Sequence, residues 1–260
     1  MKLALSNLFS CFAALISDKL PLPWILIVIG VHNMERAKLP RLDHLSYKDY
    51  DLVYEPSDDT FLLCDALHQD IDYLFSVQPL LCLEIGCGSG TVITYLQLIL
   101  DKIMPCVYLA VDINPVACRT CIRTSRHNLC SVDIIQADLA DAIVPHSVDI
   151  LIFNPPYVPT PNEEIQGSGI EVSWAGGEDG RMVIDRLLLQ LDRILSSKGV
   201  LYMVLVEENK PLQIIDWLET MGFAATICLQ RRASNELLMI LRAVRSTPAL
   251  NVHNVHPVGS

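Results

Sequence analysis

Residues 81–90 read Leu81-Cys82-Leu83-Glu84-Ile85-Gly86-Cys87-Gly88-Ser89-Gly90 and decide the fold of this chain. An apolar run of strand length leads directly into a glycine-rich turn, and a helix is predicted to begin near Thr91. Glycine has no Cβ, so the backbone of this turn can approach a ligand closely. Nucleotide-binding α/β folds seat a phosphate on a similar turn, so the motif alone does not select one ligand. The acidic Glu84 disfavours a phosphate and suits a cationic group.

Two further strand-like segments are each followed by an aspartate. Residues 106–111 are followed by Asp112. Such folds hold the two hydroxyls of a ribose at this position, since a carboxylate can accept a hydrogen bond from each. Residues 132–139 place Asp138 after a third strand, where its carboxylate is suited to an adenine amino group. Helix capping is the alternative for both aspartates, with a helix starting around Pro115 in the case of Asp112. The sequence leaves both alternatives open.

A proline motif, Asn154-Pro155-Pro156-Tyr157, follows the apolar residues 148–153. A side-chain amide beside backbone carbonyls can accept both hydrogens of a planar nitrogen and aim its lone pair. The prolines lack N–H groups, so carbonyls of this turn can face a ligand, and Tyr157 offers a flat face for stacking. An ordinary proline turn after a buried strand is the alternative. The motif suits methyl transfer to an amide or amino nitrogen.

Together these four motifs resemble the class I S-adenosylmethionine-dependent methyltransferases, and the Asn-Pro-Pro-Tyr ending narrows the resemblance to N-methyltransferases. Two flanking segments narrow it further: residues 53–63, which contain Glu55-Pro56-Ser57-Asp58-Asp59-Thr60, and Trp174-Ala175-Gly176-Gly177 with Gly180-Arg181. The set resembles the HemK/PrmC family of protein glutamine N-methyltransferases. Within it, the match is to the short eukaryotic and archaeal branch, which methylates the glutamine of the Gly-Gly-Gln loop in class 1 translation release factors. It spans residues 47–243.

The resemblance implies an α/β, Rossmann-like fold, with a seven-stranded sheet, helices on both faces and a C-terminal antiparallel hairpin. The patterning predicts helices over residues 57–69, 89–101, 114–128, 181–195 and 210–221. A fifth strand is predicted over 200–206, and the closing hairpin pairs 224–229 with 237–242. Between Tyr157 and Arg181 nothing reads as regular, and this long loop is expected to cover the substrate site.

The resemblance also implies which residues form the site. Those that would bind S-adenosylmethionine are Thr60, Glu84, Gly86, Gly88, Asp112, Asp138, Leu139 and Asn154. Glu84 would receive the amino-acid end of the cofactor, directly or through water. The catalytic residues would be Asn154, Pro155, Pro156 and Tyr157; Asn154 would share the substrate amide with the Pro155 carbonyl, and Tyr157 would pack against that amide. A sulfonium is already activated, so the reaction needs alignment rather than a strong base.

The cysteines do not predict a metal site. Cys118-x-x-Cys121, followed by His127 and Cys130, has the composition of a zinc site, but the first three residues lie in a predicted helix and no second pair completes the spacing. Nine cysteines without a disulfide-like pattern suit a reducing compartment. The expected location is the cytoplasm, with the nucleus as an additional one.

The chain carries a net charge of −11 over 260 residues, which favours a protein partner over nucleic acid, because an acidic surface repels a phosphate backbone. The resemblance implies two protein partners: the class 1 release factor as substrate, and a small zinc-binding activator that would form a heterodimer over an apolar outer-strand region. Residues 107–109 and 134–135 suit such cover, although core packing explains them equally.

Three other functions stay open from the sequence. Adenine N6-methylation uses a similar proline motif to hold an amino nitrogen. The net negative charge of the chain and the lack of room for a target-recognition domain count against it. Lysine methylation of a histone is the second; a charged ammonium must lose its proton before attack and gains nothing from a two-acceptor clamp. A catalytically silent binding partner is the third, and the intact cofactor motifs count against it.

Three segments are predicted: an apolar extension over residues 1–33, a methyltransferase domain over 34–245 and a disordered tail over 246–260. The charged residues of the extension are Lys2, Asp18 and Lys19, and the extension is compatible with a signal peptide, a membrane anchor, or an alternative first exon or gene-model extension before a start at Met34. Neither of its apolar halves reaches the roughly twenty residues of a spanning helix. Membrane association is therefore expected only where the extension is retained.

Overall fold

The computed structural model describes residues 38–101, 104–161, 169–234 and 236–246. Within these ranges the strands are β1 Leu81–Ile85, β2 Val107–Asp112, β3 Asp133–Gln136, β4 Val148–Phe153, β5 Val158–Pro159, β6 Ala175–Gly177, β7 Leu195–Leu205, β8 Phe223–Ala233 and β9 Glu236–Arg245. The α-helices are α1 Tyr47–Tyr50, α2 Asp58–Gln69, α3 Ile71–Val77, α4 Thr91–Leu100, α5 Pro115–His127, α6 Met182–Leu188, α7 Leu191–Ile194 and α8 Pro211–Thr220. The predicted extension over residues 1–33 and the tail beyond Ser246 lie outside the described residues.

Seven strands form one sheet in the order β3-β2-β1-β4-β7-β9-β8. The first five of these are parallel to one another, and β9 runs antiparallel to both of its neighbours. Every residue of β4 is buried. Because alternate side chains of a strand point to opposite faces, the sheet is covered on both sides. The predicted seven-stranded sheet with its closing hairpin is confirmed.

The strand order reverses between β1 and β4, since the chain builds outward from β1 through β2 to β3 and then returns to the other side of β1. Reversal of this kind opens a crevice at the carboxyl ends of the two central strands. The glycine turn follows β1, Asp112 ends β2, and Asn154 follows β4. All three motifs therefore meet at one edge of the sheet.

The prediction of one helix over residues 181–195 is wrong. Two short helices, α6 and α7, replace it, and β7 begins at Leu195, where the sequence predicts the end of a helix. Leu195 is fully buried and pairs with Val148 across the sheet. Sheet pairing and burial in the core therefore decide the conformation of this segment against its local helical pattern.

The prediction of an irregular loop between Tyr157 and Arg181 is also wrong in part. β5 pairs with β6 in a separate small sheet, and 3₁₀ turns occupy Ile170–Ser173 and Glu178–Gly180. β5 has only two residues and β6 is mostly glycine, so neither shows the alternation that marks a strand. Residues 162–168 of the predicted loop lie outside the described residues.

An N-terminal strap, residues 38–55, lies across α5 and ends at the sheet edge where the motifs meet. The Asn128 carboxamide bonds both the N–H and the carbonyl of Arg41, at 2.7 and 3.0 Å. Arg123 donates to Asp49 at 2.6 Å, and Asn114 Nδ2 donates to the Leu52 carbonyl at 2.9 Å. Across the part of the chain that the structure describes, no helix is long and apolar enough to cross a membrane.

Candidate active site

A cavity of about 730 Å³ opens at the carboxyl ends of β1, β2 and β4. Its volume falls within the range of small-molecule sites, about 300–1,000 Å³. The residues that the sequence assigns to the site all line it: Thr60, Glu84, Gly86, Gly88, Asp112, Asp138, Leu139, Asn154, Pro155, Pro156 and Tyr157. Segments separated by up to a hundred positions in the chain are thus brought to one place.

The glycine turn is held by N–H groups that donate to the backbone and a side chain of the neighbouring strand. The N–H of Gly86 donates to the Val111 carbonyl at 2.8 Å, and the N–H of Gly88 donates to Asp112 Oδ2 at 2.9 Å. Gly90 has φ +77°, and a Cβ there would lie 2.7 Å from the Cα of Cys121. Only glycine therefore lets α4 start this close to α5.

Asp112 ends β2 with its carboxylate at the cavity wall. Its Oδ1 accepts from the N–H of Asn114 at 2.9 Å, in addition to the bond from Gly88 to Oδ2. The cap of α5 is Asn114, whose Oδ1 accepts from the N–H of Val116 at 2.8 Å, so the capping alternative for Asp112 is wrong. Burial raises the pKa of Asp112 above its ordinary value. Each of its oxygens keeps a further lone pair for a ligand hydroxyl.

Glu84 is buried beneath the glycine turn, with 2 % of its surface exposed. Its Oε2 accepts from the N–H of Ile93 in the first turn of α4, at 2.9 Å. Burial raises the pKa of Glu84 well above its ordinary value. A ligand ammonium group at the cavity wall would favour the ionised carboxylate and lower that pKa again.

Asp138 and Leu139 form the side of the cavity beyond β3. Asp138 Oδ2 accepts from Arg186 Nη2 at 2.6 Å in a half-exposed ion pair. Residues 138–147 form turns and bends, so Asp138 caps no helix and that alternative is wrong too. Leu139 is buried and has φ +47°, a conformation that directs the chain around the cavity.

Asn154 is oriented by a buried carboxylate that the sequence does not single out. Its Nδ2 donates to Asp59 Oδ2 at 3.0 Å, and the hydroxyls of Tyr157 and Tyr54 reach the same oxygen at 3.2 Å. A carboxylate can only accept, so Asn154 must present its NH₂ group to Asp59. The other end of the amide, Oδ1, is buried and has no hydrogen-bond partner among the described residues.

Asp59 lies in the first turn of α2, after the Ser57 cap, where an acidic residue usually faces solvent. It is only 3 % exposed. Burial, followed by the charge of Asp59, raises the pKa of both Tyr54 and Tyr157, so both hydroxyls keep their protons as donors. The one feature of the sequence that places Asp59 near the site is its position immediately before Thr60 in the flanking segment.

The proline motif is held from behind by Asn209, which is fully buried. Its Nδ2 donates to the carbonyls of Tyr157 and Asp179 at 2.8 and 2.9 Å, and its Oδ1 accepts from the N–H of Val206 at 2.8 Å. Gly180 has φ +68°, and a Cβ there would lie 1.8 Å from the Tyr157 carbonyl oxygen. The glycines after Trp174 therefore allow the chain to pack closely against the proline motif.

The sheet order, the inserted antiparallel strand and the cavity at the reversal point define the fold of a class I S-adenosylmethionine-dependent methyltransferase. A family model described as Methyltransferase small domain matches residues 61–166. Methyltransferase HEMK2 of Homo sapiens is 38% identical over 215 residues, covering 82% of this chain and 99% of that protein.

Two further comparisons agree. The eRF1 methyltransferase catalytic subunit mtq2 of Schizosaccharomyces pombe is 42% identical over 219 residues, covering 79% of this chain and 95% of that protein. The solved E. cuniculi Mtq2-Trm112 complex, responsible for the methylation of the eRF1 translation termination factor, matches with a TM-score of 0.57 at 30% identity, over 75% of this chain and 99% of that one. The chain belongs to this HEMK2/Mtq2 family of methyltransferases, and the predicted resemblance is confirmed.

Proposed function

We propose that this enzyme transfers a methyl group from S-adenosylmethionine to the N5 nitrogen of the glutamine in the Gly-Gly-Gln loop of a eukaryotic-type class 1 release factor. The observation that carries the proposal is the buried Oδ1 of Asn154, a residue that lines the cavity, since this oxygen has no hydrogen-bond partner among the described residues. A buried acceptor without a partner costs free energy, about 1–3 kcal/mol, unless a ligand supplies a donor. A primary amide supplies such a donor. The names of the relatives support a release factor as the source of that amide.

The residues of the cavity fit the cofactor. Asp112 keeps lone pairs for two ribose hydroxyls, Glu84 suits an ammonium group, and Asp138 with Leu139 forms the side expected to face an adenine. Thr60, Gly86 and Gly88 complete that wall. When bound, the cofactor supplies a methyl group already activated by its positive sulfur.

The chain contributes alignment and acceptors to the reaction. An amide nitrogen is a weak nucleophile because its lone pair is shared with its carbonyl. Asn154 Oδ1 and the Pro155 carbonyl would accept its two hydrogens and turn the lone pair toward the methyl group. As the nitrogen gains positive character, these two oxygen dipoles stabilise it. Loss of one proton to solvent then restores a neutral amide.

We also propose that the enzyme acts as a heterodimer with a small zinc-binding activator, in the cytoplasm and additionally in the nucleus. β3 is an edge strand of four residues whose Ile134 and Ile135 are only partly buried, and Val107 on the adjacent strand is 53% exposed. An apolar edge of this kind favours cover by a partner. The related Mtq2 was solved in complex with Trm112, which supports the same arrangement here.

The test is methyl transfer from radiolabelled S-adenosylmethionine with the activator co-expressed. Three substrates are compared: the intact release factor, the same protein with the loop glutamine changed to alanine, and an adenine-containing oligonucleotide. We expect label on the intact release factor alone, at the loop glutamine on peptide mapping. Label on lysine or adenine and none on glutamine would contradict the proposal.

A further inference from the structure

The carboxylate of Asp59 collects five hydrogen bonds in the wall of the cavity. Oδ1 accepts from the N–H and the hydroxyl of Thr60, at 2.6 and 3.2 Å. Oδ2 faces the hydroxyls of Tyr54 and Tyr157 and the Nδ2 of Asn154. Among the described residues no lysine or arginine forms an ion pair with Asp59. Among the described residues, the hydrogen bonds to this carboxylate therefore come from neutral donors alone.

The three donors on Oδ2 differ in what they can do. A tyrosine hydroxyl can rotate its hydrogen away and accept instead, so Tyr54 and Tyr157 adapt to either a donor or an acceptor at position 59. The carboxamide of Asn154 cannot, because its two hydrogens are fixed to one nitrogen. Its orientation is thus dictated by whether position 59 offers an acceptor.

A second effect acts along the amide. A hydrogen bond from Nδ2 to an anion draws electron density toward the carbonyl oxygen, and chains of hydrogen bonds strengthen one another in a medium of low polarity. Both Asp59 and the Oδ1 of Asn154 are buried, so water screens neither. The Oδ1 of Asn154 is therefore a stronger acceptor than the oxygen of an isolated amide.

We infer that Asp59 is a positioning residue, which holds Asn154 with its oxygen toward the substrate nitrogen and increases the strength of that oxygen as an acceptor. The inference rests on the proposed function for the identity of the substrate, but the contact between Asp59 and Asn154 is independent of it.

The first experiment is Asp59→Asn, which keeps the shape and replaces an acceptor oxygen by a donor. The amide of Asn154 then turns over and presents its NH₂ group to the NH₂ group of the substrate, so that two hydrogen-bond donors face each other. We expect turnover to fall by about a hundredfold, the lower end of the loss for one transition-state hydrogen bond. The Kd for S-adenosylmethionine should stay within about threefold. Turnover within about threefold of the wild type would overturn the inference.

The second experiment restores the pair with exchanged roles, in Asp59→Asn combined with Asn154→Asp. The introduced amide at position 59 donates to the introduced carboxylate at position 154, whose second oxygen faces the cavity as an acceptor. We expect the double variant to be at least about tenfold more active than Asp59→Asn. A merely structural role for Asp59 would make the two losses multiply, as they do for independent sites. A double variant no more active than Asp59→Asn would therefore overturn the inference.

A third readout needs no substrate. The side-chain ¹⁵N–¹H₂ signals of Asn154, identified by their absence in Asn154→Asp, should shift in Asp59→Asn. Tyr54→Phe removes one of the donors that share Oδ2, so the bond from Asn154 should strengthen and its signal should move downfield. This conservative variant carries the test where Asp59→Asn does not fold. Signals that stay in place in either folded variant would overturn the inference.

The matched control is Asp149→Asn. Asp149 is as buried as Asp59, at 3% exposure, and accepts from the N–H of Leu80 at 2.7 Å and the hydroxyl of Ser196 at 2.6 Å. It does not line the cavity. This variant should be less stable but should keep the turnover per folded molecule and the Asn154 signals. The atom that the wild-type enzyme methylates tests the proposed function. The turnover of each variant relative to the wild type, and the NMR signals of the Asn154 side chain, test the role of Asp59.

Discussion

At the scale of single residues, the chemistry depends on acceptors in fixed orientations. Asn154→Ala removes the buried Oδ1 that has no partner among the described residues and that we propose accepts from the substrate amide. We expect turnover to fall by about a hundredfold or more, and cofactor binding to be weakened but measurable. Steady-state kinetics and calorimetry on the same preparation separate the two effects. Full activity would remove Asn154 from the mechanism.

Asp112 should act on affinity instead of turnover. In Asp112→Ala, loss of the ribose contacts should weaken cofactor binding by about 1.5–3 kcal/mol, the range for hydrogen bonds to a charged group. Titration calorimetry with S-adenosylmethionine measures this directly. Asp133→Ala is the control, because Asp133 is exposed at the start of β3 and does not line the cavity. Equal affinity in the two variants would leave Asp112 with only its structural bonds to Gly88 and Asn114.

Residues that line the cavity were predictable, whereas residues that hold them in place were not. Asp112 ends a strand and Asn154 follows one, each in a recognisable motif, so position and chemistry point to the same role. Asp59 is marked only by its place before Thr60 and Asn209 has no local mark, because the groups that they hold are 95 and 52 positions away along the chain. Only the folded sheet brings those partners together.

At the scale of elements, the buried parallel strands were the most predictable part. β1 and β4 appear over residues 81–85 and 148–153, since a strand buried on both faces reads as a nearly continuous apolar run, interrupted here only by Glu84 and Asp149. The helix predicted over residues 181–195 is wrong because the pattern there does not favour one type of element. Its apolar residues fit a helix as well as a strand, and only pairing with Val148 selects the strand from Leu195 onward.

The element that supports the proline motif can be tested with a matched pair of glycines. Gly180 and Gly222 both have positive φ, +68° and +84°, but a Cβ at Gly180 would meet the Tyr157 carbonyl, whereas Gly222 has nothing within 4 Å. Gly222→Ala should therefore cost only the left-handed backbone strain, about 1–2 kcal/mol, with turnover unchanged. Gly180→Ala should also displace Tyr157 and reduce turnover by tenfold or more.

Chemical denaturation and kinetics on both variants check this prediction. The outcome that counts against it is equal turnover in Gly180→Ala and Gly222→Ala. The proline motif would then tolerate movement of its Tyr157 carbonyl, and the glycines after Trp174 would serve stability alone.

At the scale of the whole molecule, the sheet builds the cavity and the N-terminal strap completes it. The strap contacts α5 through Arg41, Asp49 and Leu52. It also brings Tyr54 against Asp59 at 3.2 Å. A segment that precedes the sheet by some thirty residues is therefore part of the site, although no motif of the sequence marks its first half.

This arrangement predicts different results for two shortened chains. A chain that begins at Met34 keeps every described contact of the strap, so it should match the full-length turnover with the activator present. A chain that begins at Glu55 loses the hydrogen bonds that Arg41 and Tyr54 donate and those that Asp49 and Leu52 accept. It should be less stable and lose turnover by tenfold or more, because the donors around Asp59 are incomplete. Thermal denaturation and methyl transfer on both chains give the answer. Loss of activity on removal of residues 1–33 alone would show that the extension packs on the domain, and would overturn the prediction that it lies outside the fold.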